Sequence, residues 1–270
     1  MKNKLLTKLG PLIGLVFVIA LFGMLRPRTF LTTNNFQIML LQTAVVATAA
    51  LGMTMIIISG GIDLSIGSNI ALCTVVIATL LARGVPPFIA ALGSIAAGSL
   101  CGLLIGTLIT RLKLTPFIVT LGTWGALRGL AKGLANETIV TAPETWLNGL
   151  LQNVGAGRRW MIFPPGVWLM LLLTLLTGAL LRYTRFGRHV FAVGSNEQTA
   201  RLCGISVGRT KLLTYALGLA FAGVAGLLQF SYLTVGDPTT ANGLELAVIA
   251  AVVIGGASLN GGEGDRKSVV

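Results

Sequence analysis

The sequence predicts an all-α protein, a polytopic membrane helix bundle with interrupted or re-entrant helices. Three observations carry this expectation. Only 10% of the 270 residues are charged and 54% are hydrophobic, whereas soluble globular domains carry roughly 25% charged residues. The apolar residues come in runs, and about 20 apolar residues at ~1.5 Å rise cross a bilayer. Glycine pairs interrupt the runs at Gly60-Gly61 and Gly255-Gly256.

The runs cover residues 9–25, 36–59, 66–81, 87–110, 116–134, 163–181, 212–233 and 244–257. Lys2, Lys4 and Lys8 precede the first, and Arg26-Pro27-Arg28 follows where a signal peptide would need small residues. The first run is therefore read as a retained membrane helix. The segments after Gly60-Gly61, after Pro116 and before Gly255-Gly256 are too short or too glycine-rich for plain spans. Non-helical backbone at membrane depth survives only inside protein or along a cavity, which points to a transport pathway.

Net charge is +12, and its placement argues for a membrane, not a nucleic acid. With the N-terminus inside, Lys2, Lys4, Lys8, Arg111, Lys113 and the cations of the 182–211 loop fall on the cytoplasmic side, as the positive-inside rule requires. Arg26, Arg28, Arg83, Arg128, Lys132, Arg158 and Arg159 fall outside or within the membrane. The outer loop 135–162 holds Trp146 and Trp160, residues suited to a membrane interface. Gly98, Gly102 and Gly106 lie on one helix face, and Gly218, Ala222 and Gly226 on another, a spacing that lets membrane helices approach closely.

Catalysis has no support. HExxH and the phosphate-loop motif are missing, and His189 is the single histidine. Cys73, Cys101 and Cys203 form no CxxC pair, so they read as small filler, with no metal site. The chain is expected not to be an enzyme.

Three stretches carry polar residues in suggestive places. In Gly60-Gly61-Ile62-Asp63-Leu64-Ser65-Ile66-Gly67, Asp63 is the first acidic residue of the chain. It either caps the following helix or touches substrate. The segment from Gly194 to Gly204 reads as one short helix, with Ser195 and Gln198 forming a capping box and Gly204 ending it. It suits docking to another protein or lying on the membrane. Glu245 opens the last apolar run, where it complements a helix N-terminus, and Gly255-Gly256 permit a break at its end. Pathway lining and close helix contact both fit that run.

Together these blocks resemble the permease family of ribose-type ABC importers. The resemblance lies in Gly52-Met53-Thr54 through Ser59 to Ser68, in Pro116 to Leu121 with Arg128-Gly129, and in Thr184-Arg185-Phe186-Gly187-Arg188. It continues through Ala192 to Asn196, Leu202 to Val207, and Glu245 onward to Gly264. It implies a monosaccharide importer subunit in a bacterial inner (plasma) membrane, crossing it several times, with residues 1–264 as a single transmembrane domain. The implied partners are an ABC ATPase subunit, a periplasmic sugar-binding protein, a second permease subunit, equal or different, and membrane lipid, with no nucleic acid. No cofactor is expected on this chain; ATP and Mg would sit on the ATPase. The implied coupling loop comprises Gly194, Ser195, Asn196, Glu197, Ala200, Gly204 and Ile205. The implied pathway or structural motif comprises Gly60, Gly61, Asp63, Ser65, Glu245, Gly255 and Gly256.

Two departures stand out. Ala247 occupies a position where the family usually has Asp. Family members continue into further helices, whereas here the polar tail Asp265-Arg266-Lys267-Ser268-Val269-Val270 follows. That tail is expected to be foreign to the family, because its codons can be read from a common sequencing adapter. The alternative to an ABC importer is a secondary transporter, which also uses interrupted helices.

Overall fold

A computed structural model describes residues 2–152, 163–259 and 261–262 of the chain. Trp160, Arg158, Arg159, Asn260 and the 265–270 tail lie outside them. Eleven α-helices and two two-residue strands occupy the described residues: α1 (Lys2–Leu25), α2 (Pro27–Phe30), α3 (Thr33–Ile58), α4 (Ile66–Ala82), α5 (Pro87–Arg111), α6 (Pro116–Leu134), β1 (Val140–Thr141), α7 (Pro165–Tyr183), α8 (Arg185–Ser195), α9 (Glu197–Leu202), α10 (Val207–Leu233), β2 (Val235–Gly236) and α11 (Leu244–Ile254). The all-α expectation holds, and every predicted apolar run is a helix. Among the described residues α3, α5, α7 and α10 are long and apolar enough to cross a membrane.

Residues 1–43 and 44–270 form two compact units. In the first, Phe30 stacks against Phe22 and Phe36 at 5.7 and 6.3 Å, and Asn35 Nδ2 donates to Phe30 O at 2.9 Å.

The second unit is a helix bundle built on α10. Proline opens α5, α6 and α7, where its missing N–H costs no hydrogen bond. One face of α10 meets α5: a Cβ on Gly98 or Gly102 would run into the backbone at Leu219 or Tyr215, and Ser94 Oγ donates to Gly223 O at 2.8 Å. The other face meets α3 and α4, with Gly218 against Ile56 and Gly226 against Cys73. Both small-residue faces read from the sequence are thus helix interfaces. Backbone contact this close replaces the hydrophobic drive that lipid does not supply between helices. Towards lipid, α5, α6 and α7 present exposed Leu100, Leu104, Phe117, Ile118, Leu172 and Leu175.

At one end of the bundle, Ile77, Leu81, Ala90, Leu147, Leu227 and Phe230 form a core under the 135–152 loop. Ser231 Oγ donates to Asn148 O and accepts from Leu151 N–H, both at 2.9 Å, and β1 pairs antiparallel with β2. At the opposite end Met55, Ile58, Leu181 and Val190 pack together beneath α8.

Candidate functional site

Two places collect the residues singled out in the sequence. The first is a non-helical layer within the bundle. Helix α3 stops because Ser59-Gly60-Gly61 turns back on it: Gly60 N–H donates to Ile57 O at 2.9 Å and Gly61 N–H to Ile56 O at 3.0 Å. Gly60 adopts φ +82°, which a side chain would strain. The same hydrogen-bond pair, with a left-handed glycine, ends α4 at Gly84, α9 at Gly204 and α11 at Gly256. Of the paired glycines after α11, Gly256 makes the break and Gly255 stays right-handed.

Asp63 is fully buried in the break. Its Oδ1 accepts from Ser65 N–H at 2.7 Å and from Ser65 Oγ at 2.6 Å. Both bonds go to the residue before α4 and not to its first turn. Asp63 therefore shapes the approach to the helix instead of capping its free N–H groups, and its Oδ2 has no protein partner. Tyr215 of α10 lies over Gly61 so closely that no methyl group fits there, and Thr120 Oγ1 of α6 donates to Ile62 O at 3.3 Å.

Residues 234–243, between α10 and α11, descend alongside α4. Gly236 abuts Ala78, Thr74 Oγ1 donates to Asp237 O at 3.3 Å, and Ala241 O lies against Gly67. The segment carries left-handed residues at Thr234, Ala241 and Gly243. Apart from β2 it is non-helical backbone in turns inside a helical bundle, so its carbonyls need donors. Arg128 of α6 supplies two, its Nη1 donating to Pro238 O at 2.9 Å and Thr240 O at 2.7 Å. Gln229 Nε2 donates to Thr240 Oγ1 at 2.8 Å. Helix α11 then begins inside the bundle with Glu245 in its first turn, buried, its Oε2 against Gly67. Ser68 Oγ, Trp124 Nε1, Arg128 Nη2 and Glu245 Oε2 are buried without protein partners. Unpaired buried polar atoms are costly and mark where water or a polar ligand belongs.

The second place is the end bearing α8 and α9. Here the single helix expected over 194–204 is corrected. Helix α8 runs through Ser195, capped by Thr184, whose Oγ1 accepts from Gly187 N–H at 3.2 Å. Asn196 then breaks the chain at extended φ and ψ and caps α9, its Oδ1 accepting from Thr199 N–H at 2.9 Å. Ser195 caps nothing, and the Ser195–Gln198 box does not form, because Ser195 still has helical neighbours on its N-terminal side. The apolar spacing of Phe186, Val190 and Val193 was the signal for α8. Gly204 ends α9 as expected, with Ile205 N–H donating to Ala200 O at 3.0 Å, and Val193, Ala200, Ile205 and Val207 close a small core. Glu197 pairs with Lys211 of α10.

The two places are joined by glycine. A Cβ on Gly194 would strike Ile58 O, the terminal carbonyl of α3, and come within 2.7 Å of Gly262 N. Gly262 N–H donates to that same Ile58 O at 2.9 Å, and a Cβ on Gly261 would lie 2.8 Å from Gly60 Cα. The end of α8, the break after α3 and the segment beyond α11 therefore touch backbone to backbone. Sequence reasoning missed this junction and the role of Arg128. A lone arginine in an apolar helix was the available signal for Arg128. The junction joins Ile58, Gly194 and Gly262, which are far apart in the chain, and leaves no local pattern. Among the described residues no three His, Cys, Asp or Glu side chains gather for a metal.

Broken helices enclosing unpaired polar atoms, with a tethered pair of short helices at one end, define a membrane transport subunit. The family described as branched-chain amino acid transport system / permease component matches residues 35–262, and the chain belongs to it. Ribose import permease protein RbsC of Escherichia coli K12 is 38% identical over 253 residues, covering 94% of this chain and 78% of that protein. Fructose import permease protein FrcC of Rhizobium meliloti is 36% identical, with 94% and 72% covered, and D-allose transport system permease protein AlsC of Escherichia coli K12 is 34% identical, with 97% and 79% covered. No solved structure matches the chain. The chain is a permease subunit of an ABC importer.

Proposed function

We propose that this permease carries a monosaccharide inward across a bacterial inner membrane, driven by ATP hydrolysed on a partner subunit and supplied by a periplasmic binding protein. The observation that carries the reading is the glycine junction at Gly60, Gly194 and Gly262. It places a two-helix surface, α8–α9, in direct backbone contact with the break in α3–α4. A partner moving α8–α9 would move that break, because close-packed backbone transmits displacement instead of absorbing it. The docking surface comprises Ser195, Asn196, Glu197 and Gly204, held up from beneath by Ala200 and Ile205 in the small core, with Gly194 as its tether. The sugar path runs along Asp63, Ser65, Arg128 and Glu245, where unpaired donors and acceptors match hydroxyl groups. The names of the ribose, fructose and allose relatives support the substrate class.

A second permease copy, identical or homologous, packs on α6. Gly122, Gly125, Gly129 and Gly133 share one exposed face of that helix, with no atom within 4 Å of an added Cβ. Small residues at this spacing are how membrane helices meet. ATP and Mg belong to the partner ATPase, since this sequence has no phosphate loop.

The test is co-purification with the sugar-importer ATPase subunits of the same genome, wild type against Glu197→Arg. Reversing Glu197 sets two cations together at Lys211 and opposes the α9 helix dipole. Loss of the ATPase with normal membrane insertion supports the reading. Equal recovery with both proteins places docking elsewhere, and no ATPase with either favours a secondary transporter.

A further inference from the structure

One cavity lies apart from the sugar path and the glycine junction. It measures about 430 Å³ and opens where α5 ends, α6 begins and α9 meets α10. Its charged lining is Lys113, Arg201, Lys211 and Glu197. Glu197 is spent on Lys211, and Lys113 and Arg201 have no carboxylate within ion-pair distance among the described residues. The cavity thus carries two uncompensated cations. Lys113 is held there in a left-handed conformation, φ 54°, which non-glycine residues rarely adopt. The first turns of α6 and α10 also line it through Pro116 and Gly208, and neither helix has a side-chain cap. Their free N–H groups add positive potential.

What lies beside the cavity indicates its occupant. Leu112, Leu114 and Phe117 stand exposed at its rim, and Leu104 and Ile118 continue the apolar surface along α5 and α6. Cations at the end of a span, above an apolar helix surface, match an anionic head group with its acyl chains. This is also the end that the distribution of Lys and Arg assigns to the cytoplasm, the side facing anionic lipid.

We propose that the cavity binds the head group of an anionic phospholipid of the cytoplasmic leaflet, with Lys113 and Arg201 as the main ligands and Lys211 beside them. The site sits against α9, so a bound lipid would brace the docking helices from the membrane side. The lipid assignment stands whether or not the sugar reading does.

The experiment titrates the delipidated full chain in neutral detergent with dioleoyl phosphatidylglycerol or dioleoyl phosphatidylcholine and counts bound lipid by native mass spectrometry. Each juxtamembrane cation contributes about fivefold in affinity. Wild type is expected to hold phosphatidylglycerol well over tenfold tighter than phosphatidylcholine. Lys113→Gln with Arg201→Gln should lower phosphatidylglycerol affinity about thirtyfold and leave phosphatidylcholine unchanged, while Arg185→Gln, away from the cavity, changes neither. Lys113→Arg with Arg201→Lys should keep the preference, which separates lost charge from lost fold. Equal binding of the two lipids by wild type overturns the proposal without any variant. Displacement by inorganic phosphate at matching concentration overturns the lipid assignment in favour of a free anion. Loss of ATPase co-purification in the Gln double variant, with its lipid preference intact, overturns it in favour of a protein contact.

Discussion

Replacing Gly194 by alanine tests the junction between the docking helices and the broken span. The added Cβ would overlap Ile58 O and sit 2.7 Å from Gly262 N, about 0.8 Å inside the ~3.5 Å at which such atoms rest. Both obstacles are backbone, so no side chain can rotate away. Overfilling a tight contact costs about 1–3 kcal/mol. Shifting Gly262 also weakens its bond to Ile58 O, worth about 1 kcal/mol. The sum, about 2–4 kcal/mol, falls on a small local core, Met55, Ile58, Leu181 and Val190. It does not reach the α5–α10 interface. The expected result is a chain that inserts normally, melts at a lower temperature in detergent, and loses most of its ATP-dependent uptake. Gly208→Ala is the control: no atom lies within 4 Å of its added Cβ, and alanine in a helix gains up to ~1 kcal/mol over glycine. If Gly194→Ala melted with Gly208→Ala and transported normally, the junction would carry no mechanical role.

Further outcomes follow from the same geometry. Arg128→Met removes two charge-assisted bonds to Pro238 O and Thr240 O, each worth about 1.5–3 kcal/mol, so a drop in thermal stability together with lost uptake is expected. Arg128→Lys should rescue poorly, since its ammonium ends one bond short of Nη1, the atom that makes both contacts; full rescue in both assays would contradict this. Asp63→Asn keeps an oxygen for both Ser65 bonds, so its melting temperature should stay near wild type. Uptake lost on that stable background would assign the charge to transport, and uptake retained would leave Asp63 a structural residue. Gly125→Leu with Gly129→Leu should abolish the permease dimer in crosslinking while leaving the monomer folded, and an unchanged dimer would remove α6 from that interface.

Much of this architecture was legible in the sequence because membrane helices announce themselves by length and apolarity. The run at 87–110 became Pro87–Arg111, and the run at 66–81 became Ile66–Ala82. Helix-ending glycines were equally readable, since Gly60, Gly204 and Gly256 each meet a local conformational demand. Helix α8 was hidden by its own charge: Arg185, Arg188 and His189 mask the apolar spacing of Phe186, Val190 and Val193. The cap of α9 was placed one residue early because Ser195 and Asn196 are both good caps, and only the extent of α8 decides between them. The descent of residues 234–243 could not be read, because it depends on donors at Thr74, Arg128 and Gln229 carried by other helices. The sequence does mark Asp63 and Glu245 as unusual, but their unpaired oxygens are visible only in three dimensions.

The central claim is ATP-driven import of a monosaccharide through this subunit. Its most direct test is uptake of labelled ribose, fructose and allose, each with its binding protein, into proteoliposomes holding the permease and its ATPase. Sugar should accumulate when ATP is available to the ATPase and should not when a non-hydrolysable analogue replaces it. Accumulation driven by a proton or sodium gradient without ATP would contradict the account and return the chain to the secondary transporters.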